Sequence, residues 1–129
     1  MTTTQNVTNI TDVGGAAVRV ADQDEALRFY VERLGFEVVR DVPMGESGRW
    51  VQVAPRGGRV PVALVAAGGG APLGIDTGIT LATSDAAADH ATLAERGVDV
   101  DELLRWPGVP VMFSFRDQDG NLLKVLESA

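Results

Sequence analysis

Residues 113–127 read FSFRDQDGNLLKVLE, two apolar runs joined by the polar segment Arg116-Asp117-Gln118-Asp119-Gly120-Asn121. This pattern predicts a strand, a tight turn and a second strand. Asp117 is placed to accept backbone N–H groups across the turn, and Gly120 and Asn121 tolerate the positive φ that closing it demands. Turn chemistry alone names no function, so on its own the stretch reads equally well as an ordinary surface hairpin.

Upstream, residues 13–20 alternate as a strand, with Ala16, Val18 and Val20 on one face and Gly15, Ala17 and Arg19 on the other. Asp22 caps a helix, and Glu25 three residues on completes a capping-box pattern. Leu27, Tyr30, Val31 and Leu34 form the apolar stripe of that helix, and Gly35 stands where a C′ glycine would. Strands are expected over residues 36–42, 49–54 and 60–66, giving one βαβββ unit. Residues 67–71 carry three consecutive glycines and read as a flexible connection. The pattern then repeats: a strand over 78–83, an Ala-rich helix over 85–96, a short strand at 98–100, and the hairpin strands at 111–116 and 122–127. Gly35-Phe36-Glu37-Val38 aligns with Gly97-Val98-Asp99-Val100, an offset of 62 residues. An internal repeat of that size is itself informative about architecture.

Composition narrows the function classes. A chain of 129 residues is one domain. Its 45% hydrophobic and 22% charged residues fit a globular protein, not a disordered one. The formal net charge of −7 argues against a nucleic-acid partner, because phosphate binding needs clustered Lys and Arg. The absence of cysteine removes disulfides, thiolate zinc sites and cysteine nucleophiles together. No stretch is long and apolar enough for a membrane span, and residues 1–11 read as a polar tail without a signal region, so the expected location is the cytoplasm.

Two motifs carry a family resemblance. Asp22-Gln23-Asp24-Glu25-Ala26-Leu27-Arg28-Phe29-Tyr30 followed by Leu34-Gly35-Phe36 matches D-x-x-x-A-x-x-F-Y-x-x-x-L-G-F, and the C-terminal hairpin is F-x-x-D-P-D-G-N-x-x-E-like, with Gln118 in place of Pro. The chain thereby resembles the vicinal oxygen chelate superfamily of glyoxalases, extradiol dioxygenases and bleomycin-type resistance proteins, over about residues 12–127. The resemblance implies an α+β fold of two tandem βαβββ modules, with eight strands and two helices, forming a curled mixed sheet around a cavity. Module 1 is expected at about 12–66, a linker at 67–76 and module 2 at about 77–127, within a single domain over 12–129.

In the metal enzymes of that superfamily, four cavity-facing positions hold a divalent cation, a His or Gln and a Glu from each module. The resemblance places these positions at Gly15, Ala63, Gly78 and Lys124. Glycine and alanine offer no donor atom, and a protonated lysine repels a cation, so no metal and no cofactor is expected. The lone histidine, His90, falls on the second helix and reads as a half-buried structural residue, neither ligand nor base. Small residues on the expected cavity face (Gly15, Ala17, Ala63, Val65, Gly78, Thr80) leave room for a ligand. Trp50, Trp106, Met44, Met112, Phe113 and Phe115 are the expected apolar walls, with Arg19 and Lys124 as cations favouring an anionic or carbonyl-bearing group.

The leading expectation is a metal-free protein that binds an antibiotic-like or aromatic small molecule. The alternatives are a metal-free enzyme using Lys124 as base or Schiff-base nucleophile, and a metal-dependent lyase, isomerase or dioxygenase with displaced ligands. The family's habit of pairing modules across two chains implies a homodimer, with no nucleic-acid or membrane partner.

Overall fold

The computed structural model describes residues 8–46 and 48–128; most of the expected N-terminal tail, residues 1–7, lies outside the described residues. The chain runs β1 (Ala16–Val20), α1 (Gln23–Leu27) continuing into a π-helical turn (Arg28–Arg33), β2 (Glu37–Pro43), β3 (Arg49–Ala54) and β4 (Val62–Ala66). The second half follows as β5 (Asp76–Thr83), α2 (Ala86–Glu95), β6 (Asp99–Val100), β7 (Met112–Arg116) and β8 (Leu122–Glu127). Each half forms its own four-stranded mixed sheet, in the orders β1-β4-β3-β2 and β5-β8-β7-β6. In each sheet the first strand of the module runs parallel to the last, and the other neighbours are antiparallel. The fold is therefore the duplicated βαβββ architecture expected from the sequence.

Local signals place the helices as read. Asp22 Oδ1 accepts the N–H of Glu25, and Asp85 Oδ1 that of Ala88, so each helix opens on an aspartate cap. The first helix departs from a regular 3.6-residue stripe at Arg28. The Leu34 N–H reaches back to the Phe29 carbonyl, an i→i+5 bond that widens the turn. Adjacent Phe29 and Tyr30 both turn inward as a result, with Ala26 beside them, while Leu27, Val31 and Leu34 pack at the margin.

One core joins both modules. Alternate residues of the strands face the helices: Val18 and Val20, Val51 and Val53, Phe113 and Phe115, Leu123 and Val125 are all buried. Phe29 of module 1 stacks on Phe115 of module 2 with centroids 6.4 Å apart, and Tyr30 packs against Phe29 and Phe36. His90 meets the Phe113 ring edge-on at 5.0 Å, with Nε2 2.8 Å from the Asp101 carbonyl oxygen, as expected of a structural histidine.

The hairpin turn between β7 and β8 fastens the two modules together. Asp117 Oδ1 accepts from the backbone of Asp119 and Asn121, while Oδ2 accepts the Tyr30 hydroxyl at 2.7 Å and Asn121 Nδ2 at 3.1 Å. Asn121 is 0% exposed and fully satisfied. Its Nδ2 also donates to the Arg19 carbonyl at 2.9 Å, and its Oδ1 accepts from Gly74 and Ile75 of the connecting segment. Asp119 Oδ2 adds a bond from the Ala21 N–H at 2.9 Å. Only Gly120 takes the positive φ of this turn, at +80°; Asn121, expected to share that role, serves through its side chain. Gln118, at the position where Pro is usual, donates to Asp119 and leaves its Oε1 buried without a partner.

Replacing Asn121 by Ala strands partners in both modules and in the connection. It is expected to lower stability by about 3 kcal/mol, read as an earlier urea midpoint at unchanged slope. Tyr30 is the chain's only tyrosine. Burial, and then the negative charge of Asp117, push its hydroxyl far above the ordinary value. The unfolded chain releases this proton near pH 10 and the folded chain does not, so stability falls as pH rises above about 10. Absorbance at 295 nm should show no phenolate in the folded protein near pH 10, its appearance coinciding with unfolding, and Tyr30→Phe should flatten this alkaline loss.

Candidate functional site

The strand faces turned away from the helices carry the predicted small and polar residues. On the first sheet, Ala17 lies beside Ala63 and Arg19 beside Val65 in direct register, and Gln52 continues the Ala63 row. Trp50 occupies the same face as Gln52, half-buried and paired with Val42 of β2. On the second sheet, Lys124 lies between Thr80 of β5 and Ser114 of β7, and Met112 pairs with Leu126 one row along. Both faces are open: Ala17, Arg19, Thr80 and Lys124 are exposed, whereas their sequence neighbours Val18, Val20, Leu123 and Val125 are buried.

Two of the predicted wall residues do not belong to this face. Phe113 and Phe115 are 1% and 0% exposed and point into the common core. In a pleated strand their odd-numbered positions oppose Met112, Ser114 and Arg116, so both phenylalanines support the helix side. The sequence held the clue: Phe113 and Phe115 share a face with each other, and Ser114 with Met112.

Among the described residues, the remaining candidates line separate grooves or none of four cavities on the surface. Arg19 lines a groove of about 170 Å³ with Ala17, Val65, Ile75 and Thr77. Lys124 lines a separate groove of about 230 Å³ with Gly78, Thr80, Ser114 and Leu122. Met44 is 54% exposed beyond the end of β2, and Trp106 is 64% exposed in the loop before β7, beside a turn closed by the Val109 N–H on the Trp106 carbonyl. Two larger clefts of about 370 Å³ each lie on the helix side, and of the eight predicted ligand residues only Phe115 borders one of them.

The residues present do not fit a divalent metal. Gly78 has φ of +73°, where any L side chain is strained. A Cβ at Gly15 would approach the Pro61 carbonyl oxygen to 3.2 Å. Ala63 has no donor atom, and Lys124 brings a positive charge. Among the described residues, no group of three or more His, Cys, Asp or Glu is gathered closely enough to hold a metal ion. Nor is any helix among them long and apolar enough to cross a membrane.

What sequence reasoning missed is the π-helical turn and its consequence, the buried Tyr30–Asp117–Asn121 network behind the face. Asn121 was visible as a turn residue, but nothing in its local sequence says that it reaches Arg19, 102 positions away. A second feature that alternation could not foresee is the irregularity in β5. Its register against β8 shifts between Asp76 and Thr80, with Gly78 at the kink and the Thr77 hydroxyl capping the Leu122 carbonyl at 2.7 Å.

Comparison with known proteins agrees with this fold. The structure is similar to TnmS3, an antibiotic-binding protein from Streptomyces sp. CB03234, at 38% identity and a TM-score of 0.84, covering 95% of this chain and 100% of that one. It is similar to a superfamily member from Sphaerobacter thermophilus at 38% identity and a TM-score of 0.84, covering 92% and 98%. A glyoxalase/bleomycin resistance protein from Streptomyces sp. CB03234 is 41% identical with a TM-score of 0.73, covering 85% and 95%. In sequence, the Bacillus subtilis protein YetH is 44% identical over 48 residues, 37% of this chain and 40% of YetH's own length. The profile of the Glyoxalase/Bleomycin resistance protein/Dioxygenase superfamily matches residues 12–125, and the chain belongs to that superfamily.

Proposed function

We propose that the protein is a metal-free binder of an antibiotic-like or aromatic small molecule, acting in the cytoplasm by sequestration. The observation that carries this reading is the replacement of the four superfamily ligand positions by Gly15, Ala63, Gly78 and Lys124, of which Gly15, Gly78 and Lys124 are exposed and Ala63 is buried. The likeness to an antibiotic-binding protein over 95% of this chain and the whole of that one supports it. With no fitting metal site, affinity must come from shape, apolar contact and the cations Arg19 and Lys124.

The same reading assigns a homodimer. Each open face is one half of a site: Trp50 and Arg19 on the first sheet, Met112 and Lys124 on the second. Covering the first sheet of one chain with the second sheet of another would join these halves and shield Trp50. Exposed Val38, Val39 and Val42 on the edge strand β2 would supply further apolar area to such a contact.

A thermal-shift screen of aromatic antibiotics, with and without divalent metal, should find ligands that stabilise by about 2.7 kcal/mol at ~100 times Kd, independently of metal. Against such a ligand, Trp50→Ala and Trp106→Ala are expected to lose about 2 kcal/mol or more of binding while staying folded. Equal affinity in both folded variants would place the pocket elsewhere. Phe115→Ala should instead lose about 3 kcal/mol or more of folding stability, as a core truncation does. Sedimentation at tens of micromolar should give twice the chain mass; a monomer there would remove the two-chain site.

A further inference from the structure

We propose that Thr80, Lys124 and Ser114 form a carboxylate-binding subsite, held open by the irregularity at Gly78. The inference deepens the small-molecule-binding reading and rests on it, adding the chemical class of group that the ligand carries.

The three residues sit side by side on three adjacent strands. Lys124 is the register partner of Thr80 on one side and of Ser114 on the other, so a flexible ammonium is flanked by two hydroxyls on one face. Adjacent strands lie about 4.8 Å apart, so a carboxylate held by the Lys124 ammonium can take a second bond from whichever flanking hydroxyl, Thr80 or Ser114, lies on its side. The ammonium gives a charge-assisted bond, and each hydroxyl supplies a further donor.

None of these groups is committed elsewhere. Lys124 takes part in none of the ion pairs among the described residues, although the chain carries a net charge of −7. The neighbouring threonines contrast with Thr80: Thr77 donates to the Leu122 carbonyl and Thr83 to Asp89, whereas the hydroxyls of Thr80 and Ser114 have no bond among the described residues. One acid, Asp76, borders the same groove; its Oδ1 accepts the Gly78 N–H at 3.0 Å and, although it keeps its negative charge, it forms no ion pair with Lys124 among the described residues. An anion entering beside Lys124 therefore meets a cation whose charge no neighbouring carboxylate already pairs.

Gly78 creates the space. With φ of +73° it breaks the β5–β8 register just before Thr80, and a Cβ added there would have no atom within 4 Å, so the room beside Lys124 is empty of protein. Apolar Leu122 and Met112 border the row along the sheet, offering contact to the uncharged body of the ligand.

Benzoate and benzamide, equal in shape and differing in charge, test the subsite by titration into 15N-labelled full-length protein. Saturable amide shifts centred on Gly78, Thr80, Ser114 and Lys124, with benzoate at least tenfold tighter than benzamide, are the expected result. Lys124→Met, at an exposed position, should abolish that preference, and Lys124→Arg should retain it. Equal affinity for the two compounds, or a preference that survives Lys124→Met, would overturn the carboxylate subsite while leaving a charge-blind aromatic binder standing. Absence of shifts with either compound at this face would overturn the subsite, and the antibiotic screen then decides the broader reading separately.

Discussion

Asp117 and Asn121 hold this molecule together at a place where four pieces of chain meet: the end of β1, the π-helical turn, the connecting segment and the β7–β8 hairpin. Both side chains are buried, and between them they fill every donor and acceptor they possess. A buried amide or carboxylate with a missing partner is costly, so the network tolerates few alternative placements of the modules. The Phe29–Phe115 stack supplies apolar area across the same junction, but apolar contacts alone are less demanding of direction. Direction comes from the hydrogen bonds.

This explains which parts of the fold were legible in the sequence. The strands and helices follow from signals within ten residues of each other: alternation, aspartate caps, and the glycines ending the helices. The duplication was legible because Gly35-Phe36-Glu37-Val38 returns as Gly97-Val98-Asp99-Val100. The role of Asn121 was not, since its partners lie 46, 47 and 102 positions away. A turn residue chosen for its local φ looks the same in a sequence as one chosen for a distant carbonyl.

The candidate site divides in the same manner. That Gly15, Ala63 and Gly78 offer no donor atom was readable, because that needs no coordinates. The facing of Phe113 and Phe115 was decided by strand phase, and only the burial pattern fixes that phase: Phe113 and Phe115 inward, Ser114 and Lys124 outward. The register break at Gly78 was hidden as well, since glycine within a strand signals an irregularity without giving its shape. Convergence of the candidates on a single cavity failed for a topological reason, as each sheet belongs to one module and presents its own open face.

The period-two pleat thus sorts the chain into two sets of positions with separate duties. Residues at Val18, Val53, Phe115 and Leu123 answer to the shared interior, and the interlocked turn behind them stabilises the arrangement without help from the opposite face. Residues at Ala17, Arg19, Thr80 and Lys124 lie exposed on the opposite faces. Mutational drift can therefore rewrite the second set while the first stays intact. Change on the open faces is cheap in folding terms, because the residues there are not the residues that choose the shape.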